Sequence, residues 1–532
     1  MRKFYLYLLL AVLATPALAQ KRIFREVGQD ISTSAQPIME NDVLVGYLAL
    51  TQLEKVSRDS FSYRLTIMDE NLNDLGVVNF HELKLRLEDV MIEDNILCLA
   101  YVKSNVLGYR YEHRADRNKA IMTGKAWMLT QFINLKGEII KTAQVQLNVD
   151  LRKNWNDSYI PSSVLKNSIS VKNMTGKGFV CLYQDDSKKN LVFYDMKGNQ
   201  TWERRISEEG KIEHFKTSEH DVYVMMQKEL ARNKYQYTVY SYNADDNSVY
   251  QKYMLKDKKG NDLLPLGFEN DPISGKPDIS GLIYNPKFRK YRKRDEGLKI
   301  RKGMYGGVFN VELTGHKKGE MKEQFTYWYD DSKGDVTNKG YFSSGAGYIT
   351  PNKSFRDFNG NTYYTGSVIK SKVRGRNIGG GLFVYGLTGL LLGAGTGNPA
   401  LGIGYTGICM AFGHYREFPT GNALIMKMDT TGKVKYENTL PINGSKETGD
   451  YNFWSGTYCF TVVSPEDKLT YLVMSDEKAY VIYSVEQKKV VRTIKRDDAG
   501  KSVMVLPAKE GSVIVITRNM KERYTVMSIE AV

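Results

Sequence analysis

Cysteine and proline are both scarce in this chain, at four and 13 of 532 residues. So few cysteines over that length exclude the dense disulfide framework of a small secreted scaffold. Cys98, Cys181 and Cys459 sit in apolar, strand-like contexts (Ile-Leu-Cys-Leu-Ala, Phe-Val-Cys-Leu-Tyr, Thr-Tyr-Cys-Phe-Thr), where a thiol serves as a small buried hydrophobe. Little proline argues against a proline-rich linker design and leaves the chain free to pair as strands. Histidine is also rare: His81, His113, His214, His220, His316 and His414 form no His-Glu-x-x-His or His-x-His pattern, so a zinc hydrolase has no local support. Ser343-Ser344-Gly345-Ala346-Gly347 lacks the first glycine of a nucleophile elbow, and Gly275-Lys276-Pro277 is no phosphate-binding loop. Asp185-Asp186 and Asp245-Asp246-Asn247 do not complete an EF-hand loop. No catalytic residue, no metal and no cofactor is therefore assigned.

What is present is a globular balance: 42% hydrophobic, 25% charged and 11% aromatic residues, with 36 tyrosines, which excludes wholesale disorder. The N-terminus reads as a cleavable leader over residues 1–19. Arg2 and Lys3 precede an apolar stretch from Tyr5 to Leu13, and Ala17-Leu18-Ala19 supplies an A-x-A cleavage site. A mature chain starting at Gln20 is expected in the periplasm or outside the cell, without the cysteine that a lipid anchor needs.

A strand–turn–strand pattern recurs. In Leu191-Val-Phe-Tyr-Asp195-Met-Lys-Gly198 and in Leu424-Ile-Met-Lys-Met-Asp429-Thr-Thr-Gly432, Gly follows Asp by three, and an aromatic (Trp202, Tyr436) follows by seven. Asp and Gly suit a tight turn, and the aromatic then falls on the next strand. Eight pairs of inner and middle strands are expected. The first members centre near Leu48, Cys98, Cys181, Val224, Leu282, Tyr364, Tyr471 and Ile514, and the second near Thr66, Leu129, Val192, Val239, Phe309, Met426, Ile482 and Val526. Radially repeated strand groups without helical periodicity predict an all-β chain, a single β-propeller of seven or eight four-stranded blades over residues 20–532. A β-sandwich array is the competing architecture. The last strand, Tyr524 to Ile529, has no successor in the chain, so a strand around Arg22 to Val27 is expected to close the ring.

Asp357-Phe-Asn-Gly360-Asn361-Thr-Tyr363-Tyr-Thr365-Gly366 and the stretch Ala423 to Tyr436 resemble repeats of secreted bacterial and quinoprotein-type propellers. The whole is similar to exported propeller proteins of the Bacteroidota. The resemblance implies the fold and no activity. Asp195 to Trp202 is one residue longer than a sialidase Asp-box and is read as a strand turn.

Three long insertions are expected in loops that leave one face of the disc: 103–124, 286–304 and 370–420. Their net charges are +3, +7 and +4, against +15 for the chain and +13 without Arg2 and Lys3. The scaffold itself is therefore near neutral. In the second insertion Lys287, Arg289, Lys290, Arg292, Lys293 and Arg294 are candidates for holding phosphates or anionic lipid heads. In the third, no charged residue occurs from Asn377 to Gly413, and 12 of the 36 residues from Ile378 are glycine. Leu382, Phe383, Leu390, Leu391 and Leu392 are its candidate docking residues. Its halves are too weakly apolar for a full membrane span. It can enter a membrane shallowly, dock on a partner, or pack on the chain's own propeller.

An exported protein with this charge points to an anionic envelope surface or a protein partner rather than nucleic acid. A non-enzymatic binding scaffold is the expected function. The alternative is a glycan-processing hydrolase or lyase, whose carboxylates would converge only in the folded state. Asp278, Asp357 and Asp450 are its nominal candidates, each read in the first instance as a turn residue.

Overall fold

The computed structural model describes residues 21–25, 32–40, 43–57, 60–106, 112–149, 169–186, 188–231, 234–285, 305–315, 320–328, 348–369, 420–440, 459–464, 468–475, 478–498, 501–508, 511–519, 521–522 and 524–532. After β1 (Lys21–Arg25), a seven-stranded sheet runs in chain order. Its strands are β2 (Ser32–Glu40), β3 (Val43–Lys55), β4 (Ser60–Asp69), β5 (Asp74–Glu93), β6 (Ile96–Ser104), β7 (Ala126–Asn134) and β8 (Ile139–Leu147). The helix α1 (Arg114–Thr123) lies between β6 and β7.

Five four-stranded sheets follow. The first two are β9 (Ile169–Met174), β10 (Gly178–Gln184), β11 (Lys189–Asp195), β12 (Gln200–Arg205), and β13 (Lys211–Thr217), β14 (Asp221–Ala231), β15 (Lys234–Asn243), β16 (Val249–Met254). The third is β17 (Leu263–Asn270), β18 (Pro277–Tyr284), β19 (Tyr305–Glu312), β20 (Lys322–Tyr327). The last two are β21 (Tyr348–Arg356), β22 (Thr362–Ile369), β23 (Thr420–Met428), β24 (Val434–Leu440), and β25 (Cys459–Ser464), β26 (Leu469–Ser475), β27 (Ala479–Ser484), β28 (Lys489–Lys495). The final sheet has the order β1-β32-β31-β30-β29, built from β29 (Asp497–Asp498), β30 (Lys501–Pro507), β31 (Ser512–Asn519) and β32 (Tyr524–Ala531).

These are antiparallel meanders, and β5 joins two of them. Residues from Asp74 to Leu83 pair with β4, and Lys84 to Glu93 pair with β6. One strand is thus the outer edge of one meander and the inner edge of the next.

Burial explains why each strand has its composition. Along β10 and β11 nearly every residue is buried, because a neighbouring sheet covers each face, and the sequence is a continuous apolar run. In β12, at the outer edge, no residue is fully buried. Apolar clusters fill the spaces between neighbouring sheets. Phe132 of β7 meets Phe179 and Tyr194 with ring centroids 6.0 and 5.2 Å apart. Further round, Leu191 and Phe193 pack with Val222 and Val224, Ile425 with Leu472, and Val473 with Val513. The last sheet returns to the first: Ile514, Ile516 and Met527 share a core with Tyr47, Ala49 and Met68.

Closure is also hydrogen-bonded. β1 pairs antiparallel with β32 from Lys21↔Ser528 to Arg25↔Tyr524, so the edge of β32 is covered by the start of the chain. A ring of meanders closed in this way is a β-propeller.

Three details depart from the sequence reading. The strands near Leu48, Cys98 and Cys181 are the second of each meander, not the innermost. The inner strand β13 has a single buried residue and carries several polar ones, so no apolar run marks it. The first insertion starts later than 103, because β6 continues to Ser104 and Lys103 Nζ donates to Glu82 (2.9 Å) and Gln144 (2.8 Å). Finally, that insertion contains α1, whose Arg117 and Ile121 are buried.

Candidate functional site

A cavity of about 620 Å³ lies at the propeller axis. Its wall includes Thr217, Asn270 and Arg356, the last residues of the inner strands β13, β17 and β21, and the adjoining Ser218, Asp271 and Phe358. It therefore sits at the end of the sheets where first strands turn into second strands. Connections from second to third strands leave from the opposite end.

The charged groups on and beside the wall are set by strand register. Glu269 on β17 pairs with Asp278 on β18, Asp278 with Glu312 on β19, and Glu312 with Lys322 on β20. Cross-strand partners share a face of the sheet, and like charges directly opposite one another are destabilising. The inner strand of the next meander supplies the compensation. Arg356 is ion-paired with Asp271 through Nη1, which also lies 3.6 Å from Asp278 and 3.8 Å from Glu312. Lys353 Nζ is 2.8 Å from Glu269, and Lys322 Nζ is 3.3 Å from Glu312.

Asp271 is held further by its own turn, accepting from the amides of Ile273 (2.6 Å) and Ser274 (2.9 Å). Asp278 accepts from Asn310 Nδ2 at 2.8 and 2.7 Å, and its side chain is only 6% exposed. Burial pushes its carboxyl up to about 7, against the opposing pull of Arg356 and Asn310, with Asp271 and Glu312 adding to the rise. Below it, Ser280 Oγ donates to Ser354 Oγ at 2.8 Å and ties the two meanders together.

This places one of the three nominal carboxylates differently from the sequence reading. Asp278 is a buried strand residue on a cavity wall, not a turn residue. Asp357 is a turn residue, accepting from the amides of Asn359 and Asn361 at 2.9 and 2.8 Å. Asp450 lies outside the described residues, as do the basic candidates Lys287, Arg289, Lys290, Arg292, Lys293 and Arg294 and the apolar candidates Leu382, Phe383, Leu390, Leu391 and Leu392. Glu269, Glu312 and Arg356 were missed. Their meeting is set by the register of two sheets, and the one local signal, acidic residues near the strand ends at 269–271, 278 and 312, is weak.

Cys98 and Cys181 are buried free thiols in one core cluster. Burial pushes the Cys98 thiol up, and the neighbouring Cys181 adds to the effect. Among the described residues no group of His, Cys, Asp or Glu has a metal-binding arrangement, and no helix is long and apolar enough to cross a membrane.

No protein-family model matches the chain, and no curated protein matches it. Solved structures similar to it include the Dos1 propeller, at 8% identity over 95% of this chain and 94% of that one, with a TM-score of 0.45. The β-propeller domain of the Trilobed protease from Pyrococcus furiosus is 8% identical over 84% of this chain and 95% of that one, with a TM-score of 0.37. The AfRom2 CNH domain is 9% identical over 84% and 94%, with a TM-score of 0.35. At such identities the likeness concerns fold, and the propeller assignment stands on the sheets and their closure described above.

Proposed function

We propose that this chain is an exported, non-enzymatic binding scaffold of the bacterial envelope, in which an eight-bladed disc presents basic and apolar loops to an anionic surface or a protein partner. The count of eight takes the seven-stranded sheet as two blades sharing β5 and the β1-completed sheet as the last. One observation carries the reading. The long connections 105–125, 285–304 and 370–419 each join a second strand to a third, and antiparallel order sends all such connections to one end of the sheets. Lys103 and Arg117 are held in strand and core. The charge available to a partner is therefore concentrated in 286–304 and 370–420, at +7 and +4. Basic loops raise the encounter rate with an anionic surface, and an apolar segment beside them gains by leaving water.

Flotation of the mature protein with anionic and neutral liposomes, at low and high salt, tests this. The expected result is flotation with anionic vesicles only, reduced by salt, and lost when 377–413 is replaced by a short Gly-Ser link. If the parent stays soluble with both vesicle types, the lipid surface is wrong and the protein partner remains. If the deletion unfolds, the segment belongs to the propeller core. The glycan-processing reading is second, favoured by the axial cavity and Asp278. It ranks lower because Glu269, Asp271 and Glu312 are each held by a cation of the fold.

A further inference from the structure

We propose that the axial cavity is a binding site for a small organic cation, whose protonated amine sits against Asp278. Among the described residues this side of the cavity is lined by three carboxylates, Glu269, Asp271 and Asp278, and two cations, Lys353 and Arg356, with the Glu312–Lys322 pair adjoining them outside the lining. Glu269, Asp271 and Glu312 each have a cation as direct partner, at 2.8 Å for Glu269, 3.3 Å for Glu312, and Arg356 for Asp271. Asp278 has an amide instead, with Arg356 at 3.6 Å. From the neighbouring meander Lys216 and Glu219 also line the cavity and cancel in charge. Counted over the described residues that line it, the cavity is thus one positive charge short, and the deficit falls on Asp278.

A buried carboxylate without its own cation is costly, and a proton takes the vacant role at neutral pH. That is the physical content of the raised Asp278 carboxyl. A ligand ammonium would replace that proton with a charge-assisted hydrogen bond. Ser280, itself a hydroxyl lining the cavity beside Asp278, can accept a second ammonium proton, while Phe358 and Met39 offer apolar wall to the carbon skeleton. The volume of about 620 Å³ lies within the range of small-molecule sites, about 300–1,000 Å³. An ammonium of this kind is carried by a peptide N-terminus or by an amino sugar.

The site lies at the other end of the sheets from the strand ends that bear the long connections, so the two readings fail separately. The test is calorimetric titration of the mature protein near neutral pH with four probes in two pairs. These are Ala-Phe-amide against its N-acetylated form, and glucosamine against N-acetylglucosamine. Within at least one pair the free amine is expected to bind about ten-fold or more tightly than its acetylated partner, and the better pair identifies the source of the amine. Asp278→Asn, with its fold checked by circular dichroism, is expected to erase that difference. Equal binding of amine and acetylated forms would overturn the proposal in favour of a neutral-ligand site. Absence of heat from all four probes at about 10 mM would make the cavity purely structural. The paired comparison on the unaltered protein decides the matter even where the variant fails to fold.

Discussion

At the residue scale, Asp278 sets the electrostatics of the axis. Its carboxyl is at about 7 in the folded chain against 3.8 as the ordinary value. Between those values the folded state keeps a proton that the unfolded state has released, so rising pH favours unfolding there. The contribution is complete at low pH and lost as pH climbs through about 7. The Asp278→Asn protein carries no such group. Its stability should therefore gain on the native protein by up to about 3 kcal/mol between about pH 5 and about pH 8. Paired urea titrations at the two pH values measure this. Equal pH dependence of the two proteins would show that Asp278 is already ionised in the fold. In the sequence Asp278 is one acidic residue among 60 Asp and Glu. Its special position comes from Glu269 and Glu312 across the sheet and Arg356 from the next one, none of which is a sequence neighbour.

At the scale of elements, the recurring Asp-x-x-Gly turn was readable because it is local. Asp195 Oδ1 accepts from the amides of Lys197 (2.9 Å) and Asn199 (2.7 Å), and Gly198 has φ +74°. Asp429 repeats this with Thr431 and Lys433, both at 2.9 Å. The trailing Trp202 stacks on Phe193 and donates to the Ala244 carbonyl of the next sheet at 2.7 Å. The turn thus also joins blades.

Two glycines separate the contributions. Gly260, φ +80°, has open space where a Cβ would go, whereas a Cβ on Gly198 would lie 2.5 Å from the Phe132 ring. Gly260→Ala should cost only the backbone strain, about 1–2 kcal/mol, and Gly198→Ala a further 1–3 kcal/mol or so from overpacking. Urea midpoints of the two variants check the order. Equal losses would mean that the Phe132 ring moves aside freely. The helix α1 was not legible: its helical pattern is weak, with Arg117 and Ile121 as its buried residues, and only contact with the core shared by Cys98 and Cys181 explains Ile121.

For the whole molecule, closure by the first strand is the property on which the ring depends. β1 covers the edge of β32, Arg22 reaches Asp74 at 2.6 Å, and Phe24 packs against the core between last and first sheets. Deleting residues 21–25 uncovers that edge, and an open strand edge recruits other chains. The truncated protein should unfold at lower temperature and associate with rising concentration, measurable by calorimetry and light scattering. An unchanged midpoint with a monomeric truncation would mean that the inter-sheet cores alone hold the ring.

By itself the sequence determined the second and third strands of each meander, their pairing in eight hairpins from Leu48/Thr66 to Ile514/Val526, and a closing strand near Arg22. These follow from short-range rules: apolar runs where both faces are covered, Asp and Gly where the chain reverses, and the cost of leaving a strand edge open. The axial site was decided only by tertiary structure. Glu269, Asp278 and Glu312 become neighbours through sheet register, and Lys353 and Arg356 reach them from the next sheet. Charge balance in a cavity is a sum over residues that are far apart in the chain, and no local pattern of residues encodes that sum.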